Sequence, residues 1–363
     1  MSSGFADIIL PVAVAGSYTY VIPPGLRDEI QRGTLVTVPF RQIKSCMGLV
    51  ISTHDTPPTE FIPKEITGII PLQTTLNERL TDFLLWVSDY YMALPGEVMK
   101  AAIPSADDLV SRSVPRKKRS PDSSSEAEVS PPVELTALQN EAFARVKELF
   151  SNHEVVLLRG VTSSGKTEIY IHLITEQLAR GRQVLYMLPE IALTTQIIER
   201  LKKHFGAAIG VYHSRLTSAA RQDVWRRAAN GSLSAVLGVR SSLFLPFKDL
   251  GLIIVDEEHD SSYKQYDPAP RYHARDAAMM LSRIHGGVTL LGSATPSVES
   301  YHNATVGRYG LVELTARYGD VKMPEMIVAD TRSHGKKKKP VSHFSSRMLD
   351  AVGGALERGE QVI

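Results

Sequence analysis

The sequence is poor in cysteine: among 363 residues only Cys46 carries a thiol. That excludes an intramolecular disulfide and a zinc site built from several cysteines. Long apolar runs are missing too, with no stretch of about 18 residues suited to crossing a bilayer. Met1-Ser2-Ser3-Gly4 has neither the basic nor the apolar block of a secretory signal. These absences lead to the expectation of a cytoplasmic protein with no membrane contact. Excess charge is lacking as well. The 41 Lys and Arg against 39 Asp and Glu leave +2, too little to argue for or against a nucleic-acid partner. Apolar residues at 43% and charged residues at 22% are ordinary for a globular chain. The length exceeds what one core serves, so two or three domains are expected.

What is present is led by one stretch: Gly160-Val161-Thr162-Ser163-Ser164-Gly165-Lys166-Thr167. It matches G-x-x-x-x-G-K-[ST] at every fixed position. Val155 to Leu158 before it reads as a short buried strand, and Glu168 to Ile174 after it has helical spacing. In that context the loop's N–H groups and the helix N-terminus face phosphates. Lys166 then reaches the β- and γ-phosphates, and the Thr167 hydroxyl binds Mg2+. An ordinary Gly/Ser turn would not need Gly-Lys-Thr in register, so the chain is expected to bind a nucleoside triphosphate.

Residues 7–72 read as short strands separated by turns: Ile8 to Leu10, Tyr18 to Ile22, Thr34 to Val38 and Gly48 to Ile51. A small β-barrel or sandwich is expected. Residues 76–93 have Leu80, Phe83, Leu84, Val87 and Tyr91 on one helical face, and a short helix or turn follows to Ile103. Tyr18 and Tyr20 alternate along a strand, a pattern that serves either packing or base stacking. Residues 105–133 then change character, from Arg116-Lys117-Lys118-Arg119 through a Ser/Pro-rich run to Pro131-Pro132. Such a composition buries too little apolar surface to fold and reads as a linker.

From Glu134 helix and strand alternate: helix 136–150, strand 155–158, helix 166–179, strand 183–188, helix 191–204. This implies a parallel sheet with helices on both faces. Leu252 to Val255 is a strand ending in Asp256-Glu257-Glu258-His259. Acids at that place form the second half of a P-loop site, with Asp256 on Mg2+ and Glu257 orienting the attacking water. These two motifs alone leave kinases, transporters and motors open. A small-molecule kinase is disfavoured because nothing resembles a lid or acceptor site.

Further segments narrow the choice. Gly292-Ser293-Ala294-Thr295 after the strand Val288 to Leu291 resembles motif III of superfamily 2 helicases, and Asp256 to His259 resembles their DEAH-type motif II. Gln139 sits where those helicases place an adenine-reading glutamine. The match extends to the PriA family of bacterial replication-restart helicases. It rests on Gly160 to Glu168, Leu188 to Thr194, Gly238 to Phe247, Asp256 to Gln265, Arg271 to Asp276 and Thr295 to Ser300. The N-terminal part resembles that family's 3′-DNA-binding domain at Leu10 to Val12, Val38 to Phe40 and Trp86 to Pro95.

The resemblance implies a RecA-like P-loop sheet with helices on both faces, preceded by a small mainly-β DNA-binding domain. Its parts are residues 1–104, a linker 105–133, a first helicase lobe 134–320 and the start of a second lobe at 321–363. It implies an ATP- and Mg2+-dependent 3′→5′ DNA helicase that acts on forked and single-stranded DNA. Primosome proteins and the single-stranded-DNA-binding protein are its implied partners. Tyr18, Arg240, Tyr263, Lys264, Tyr266 and Arg271 are the DNA contacts implied, with the loop Tyr263 to Tyr272 sensing DNA. His259, Ser293 and Thr295 are the coupling residues.

Some positions depart from the family pattern. Ser163 stands at a usual glycine. Thr19 stands where an acid often follows the aromatic of the 3′-nucleotide pocket, and Arg41 replaces a glycine. The linker is too short for the winged-helix domain found there in the family. The sequence stops at Glu360-Gln361-Val362-Ile363, expected to lie in the first strand of the second lobe. The opposing arginine and the family's zinc-binding cysteines then fall outside it. The alternative to an active helicase is therefore a module that binds ATP and DNA without efficient hydrolysis or unwinding.

Overall fold

A computed structural model describes residues 4–70, 76–103, 130–315, 326–329 and 344–362. The chain divides into two units, Met1–Tyr318 and Gly319–Ile363. The first begins with β1 (Phe5–Ile9), β2 (Tyr18–Val21), β3 (Leu35–Phe40), β4 (Ile43–His54) and β5 (Gly68–Ile69). They pair antiparallel in the order β2-β1-β4-β3-β5. The segment entering β5 returns to the far edge: Val21 N donates to Lys64 O at 2.9 Å and Ile66 N to Val21 O at 3.0 Å. The sheet therefore closes into a barrel. Ala6, Ile8, Val36, Val38 and Val50 fill its interior with Tyr20, while the alternate residues Ile9, Leu35 and Leu49 face outward onto two helices.

Those helices are α1 (Glu78–Tyr90) and α2 (Pro95–Ala102). Asn77 caps α1, its side chain accepting from Leu80 N at 2.8 Å. The face expected from spacing, Leu80, Phe83, Leu84 and Val87, is buried.

After the barrel region come α3 (Ala137–Leu149), β6 (Val155–Gly160), α4 (Lys166–Ala179), β7 (Gln183–Met187) and α5 (Thr195–Phe205). Then follow β8 (Ile209–Tyr212), α6 (Ser218–Ala229), β9 (Ala235–Gly238) and β10 (Leu250–Asp256). The last elements of this unit are α7 (Ala274–Ile284), β11 (Val288–Ser293), α8 (Val298–Thr305) and β12 (Gly310–Leu314). Seven strands pair in the order β12-β6-β11-β10-β7-β9-β8, all parallel. Both faces are covered, so central strands are apolar throughout. Along β10, Leu250, Ile253 and Val255 face one core, and Leu252 and Ile254 the other.

The first of these cores also takes in α1 and α2. Phe83 packs on Phe244 with ring centroids 5.9 Å apart. Arg79 donates to Lys248 O at 3.0 Å, and the Tyr91 hydroxyl to His273 O at 3.1 Å.

Three expected boundaries shift. The helix expected from 191 starts at Thr195, because Pro189 to Thr194 forms a turn in which Ala192 N and Leu193 N both donate to Pro189 O. Residues 130–133, read as linker, lie against the lobe, with Ser130 N donating to Lys203 O at 2.9 Å. In the second unit, α9 (Ser346–Glu357) is capped by Ser345, but Glu360 to Val362 form no strand. The Arg116–Arg119 run and Lys336 to Lys339 lie outside the described residues. No helix among the described residues is long and apolar enough to cross a membrane.

Candidate active site

Because β6, β11 and β10 are neighbours, their C-terminal ends bring three sequence-distant motifs to one edge of the sheet, the place where open parallel sheets bind ligands. The loop after β6 turns at Ser163, in a left-handed conformation (φ 64°), and at Gly165 (φ 83°). Among the described residues the N–H groups of Thr162, Ser163 and Gly165 have no acceptor, and the buried Ser164 Oγ has no partner. Lys166 Nζ lies back on the loop, donating to Gly160 O at 2.8 Å. This is a cradle of unspent donors at the start of α4, suited to phosphate. It borders a cavity of about 660 Å3 lined also by Thr136, Gln139, Arg200, Asp256 and Glu257. The volume and donor set fit a nucleoside triphosphate with Mg2+.

Asp256 ends β10 at the floor of this cavity. The Tyr170 hydroxyl donates to its Oδ1 at 3.0 Å and the Tyr186 hydroxyl to its Oδ2 at 3.1 Å. Burial pushes the carboxyl above its usual range, and the Glu257 charge pushes the same way. Burial, reinforced by Asp256, holds both phenols well above theirs, so they remain donors. Glu257 follows in a left-handed conformation (φ 48°). Its carboxylate lies 3.7 Å from His259 Nδ1, which is 2.8 Å from Ser293 Oγ. Ser293 Oγ also accepts from Thr295 N at 3.0 Å. The structure thus brings His259, Ser293 and Thr295 together across β10 and β11.

The second acid of the pair behaves differently. Glu258 is 0% exposed. Its carboxylate takes Arg275 Nη1 at 2.9 Å, Ser297 N at 2.6 Å and the Ser300 hydroxyl at 2.8 Å. It is a structural tie rather than a cavity residue.

Several expected contacts sit elsewhere than the residue types suggest. Tyr263 is 1% exposed and has no face open to a base. Its hydroxyl donates to Asp256 O at 2.7 Å and Met187 O at 3.2 Å, satisfying the ends of β10 and β7. Tyr272 is buried likewise. Lys264 Nζ turns onto Arg271 O and over the Tyr91 ring. Arg271 Nε donates to Tyr266 O at 2.8 Å, and Arg240 donates to Ser262 O at 2.9 Å. Tyr266 alone of the loop's three tyrosines is open, at 70% exposure.

Tyr18 is half-buried, edge-on to Phe40 at 5.1 Å. On the opposite face of β2, the Thr19 hydroxyl donates to Asp7 Oδ1 at 2.8 Å. Gln139 is buried, its Nε2 donating to Ser164 O at 3.2 Å and its Oε1 accepting from Thr136 N at 2.9 Å. In this arrangement the amide braces the loop at the edge of the cavity. Tyr170, Tyr186, Glu258 and Arg275 were not foreseen as site residues. Tyr170 had one usable signal: it follows Lys166 by four positions, on the same face of α4.

Comparison with known proteins accords with this geometry. A family model described as the 3′DNA-binding domain (3′BD) of PriA matches residues 7–104, and one described as DEAD/DEAH box helicase matches 136–304. The replication restart protein PriA of Rickettsia conorii is 38% identical over 358 residues, covering 99% of this chain and 53% of that protein. The Bacillus subtilis protein of the same name is 41% identical over 234 residues, 64% of this chain and 29% of its own length. Among solved structures, RecG bound to a three-way DNA junction is similar with a TM-score of 0.40 and 22% identity, over 53% of this chain and 25% of that one. The chain spans about half the length of the curated relatives that it matches end to end. With a match to a 3′DNA-binding domain followed by one to a DEAD/DEAH box helicase, the chain is similar over nearly its whole length to replication restart proteins named PriA.

Proposed function

We propose that this chain is the nucleotide- and DNA-binding part of an ATP-dependent DNA helicase that serves replication restart. One observation carries the reading: the loop after β6 and the Asp256-Glu257 pair line one cavity, and His259, held by Ser293, stands next to Glu257. Thr162 to Thr167 would hold the phosphates through backbone N–H groups and the Lys166 ammonium. Thr167 and Asp256 would hold Mg2+, which when bound draws charge from the transferring phosphoryl group. Glu257, beside the cavity and without a Lys or Arg bridge among the described residues, would orient a water and take its proton. The contact from His259 to Ser293 would carry the state of this site to the segment after β11.

The reading takes forked or single-stranded DNA as substrate. Tyr266, exposed beside Arg271, offers a stacking face next to charge. Primosome proteins and the single-stranded-DNA-binding protein are proposed partners of the whole protein, and zinc a cofactor of the part its relatives have beyond this stretch.

The test is Lys166→Ala with a fluorescent ATP analogue. The variant is expected to keep its fold and to lose affinity by at least about 100-fold, the cost of a charge-assisted phosphate contact. Unchanged affinity overturns the assignment. In parallel, single-stranded DNA binding is expected to weaken steeply with salt.

A further inference from the structure

We propose that Tyr170 and Tyr186 are positioning residues of the nucleotide site, whose hydroxyls hold the Asp256 carboxylate in the orientation in which it meets a divalent cation. The inference rests on the functional reading above and adds two residues to it.

The geometry is specific. Each phenol is buried, and each hydroxyl has Asp256 as its one hydrogen-bond partner among the described residues. The two donate to different oxygens, at 3.0 and 3.1 Å, so rotation of the carboxylate about its Cβ–Cγ bond breaks one or both. They arrive from different elements. Tyr170 lies one helical turn beyond Lys166 and Thr167 on α4, and Tyr186 lies on β7. Asp256 is thereby registered against the phosphate loop and the middle of the sheet together. The rings support each other edge to face, 5.5 Å apart.

Two further features separate this from routine satisfaction of a buried acid. First, the described residues give Asp256 no ion-pair partner, although a buried carboxylate is ordinarily paired with a cation. Hydroxyl donors orient a carboxylate without neutralising it, leaving its charge for a cation that comes from outside. An arginine in the same place would compete with that cation. Second, the neighbouring strand is kept bare where the hydroxyl enters. A Cβ on Gly292 would sit 1.9 Å from Tyr170 Oη and 3.1 Å from Asp256 Oδ1. Any side chain there would drive the phenol off the acid.

The experiment titrates Mg2+ into the chain with a fluorescent ADP analogue, comparing wild type with Tyr170→Phe, Tyr186→Phe and the double variant. Phenylalanine keeps the ring and removes only the hydroxyl. Affinity without Mg2+ is expected to stay within about 2-fold, because phosphate contacts do not involve the tyrosines. The Mg2+ concentration at half-effect is expected to rise roughly 10-fold in the double variant, the lower end of losses seen when residues behind metal ligands are removed. Each single variant is expected to shift it in the same direction by less, and these carry the test should the double variant not fold. Unmoved midpoints in folded variants overturn the proposal, even if their thermal stability falls, since lowered stability alone is what a merely structural role produces. A wild type that binds nucleotide with no Mg2+ response fails at an earlier point: it overturns the functional reading, and this inference with it.

Discussion

Ser163 holds a φ of 64°, in the left-handed region where a side chain crowds the following carbonyl. Its Cβ gains nothing in return, since Ser163 is exposed and its hydroxyl has no partner among the described residues. Left-handed strain costs about 1–2 kcal/mol, while glycine's extra freedom in the unfolded chain costs about 0.5–1 kcal/mol. Ser163→Gly is therefore expected to leave stability unchanged or raise it by up to about 1 kcal/mol. Ser163→Val should lower it by more than 1 kcal/mol, because a β-branched residue tolerates this conformation least. Urea unfolding of both variants checks the order, and a valine variant as stable as the glycine one would refute it. The glycine-type position was legible as a departure from the family pattern, though its conformational reason was not. The strand, loop and helix around Lys166 were legible from spacing, because a motif fixes backbone. Tyr263 was misread because an aromatic beside charged residues has the same signature whether it faces a base or the end of a strand. Only the neighbouring carbonyls of Asp256 and Met187 decide between them.

At the scale of elements, the alternation of strands and helices was readable because buried parallel strands are apolar on both faces and their helices are amphipathic. Pairing across the sheet was not readable, and the pairing makes the site. Glu257 and Glu258 are adjacent and identical in type, yet one borders the cavity and the other is sealed by α7 and α8. Arg275 opens α7 directly after the loop that contains Tyr266, and Ser297 caps α8 just beyond Thr295. The Glu258 carboxylate thus ties the segment after β10 to α7 and α8. Arg275→Met should cost about 3–5 kcal/mol, the usual result of leaving a buried charge without its partner. Adding Glu258→Gln to the same chain should recover part of the loss, since the stranded charge is then gone. Denaturant midpoints of the single and double variants measure this coupling. If the two losses simply add, the pair is not the tie described.

Over the larger unit, the N-terminal barrel reaches the lobe through α1, and the shared core makes the two parts one body energetically. The polar edge of that seam centres on His285. Its Nδ1 accepts from Leu250 N at 3.3 Å and lies 3.4 Å from Arg79 Nη1 on α1. Arg182 and Asp249 complete the charged groups around it, from the start of β7 and the start of β10. Burial lowers the imidazole pKa to about 4, with the Arg79 charge acting in the same direction. The unfolded chain takes up that proton near 6.5 while the folded chain stays neutral down to about 4. Between those values the unfolded state binds more protons, so stability falls as pH is lowered through this window. The full difference is on the order of 3 kcal/mol for this one group. His285→Asn keeps an acceptor near Leu250 N but does not titrate. Its stability is expected to fall less than that of the wild type between pH 7 and pH 4.5, as measured by urea unfolding, with all other acids contributing equally to both. Equal slopes for the two chains would mean that protonation of His285 does not govern this seam. A flatter slope in the variant, with both parts still unfolding in one transition, would locate the acid sensitivity at the junction between α1 and the sheet.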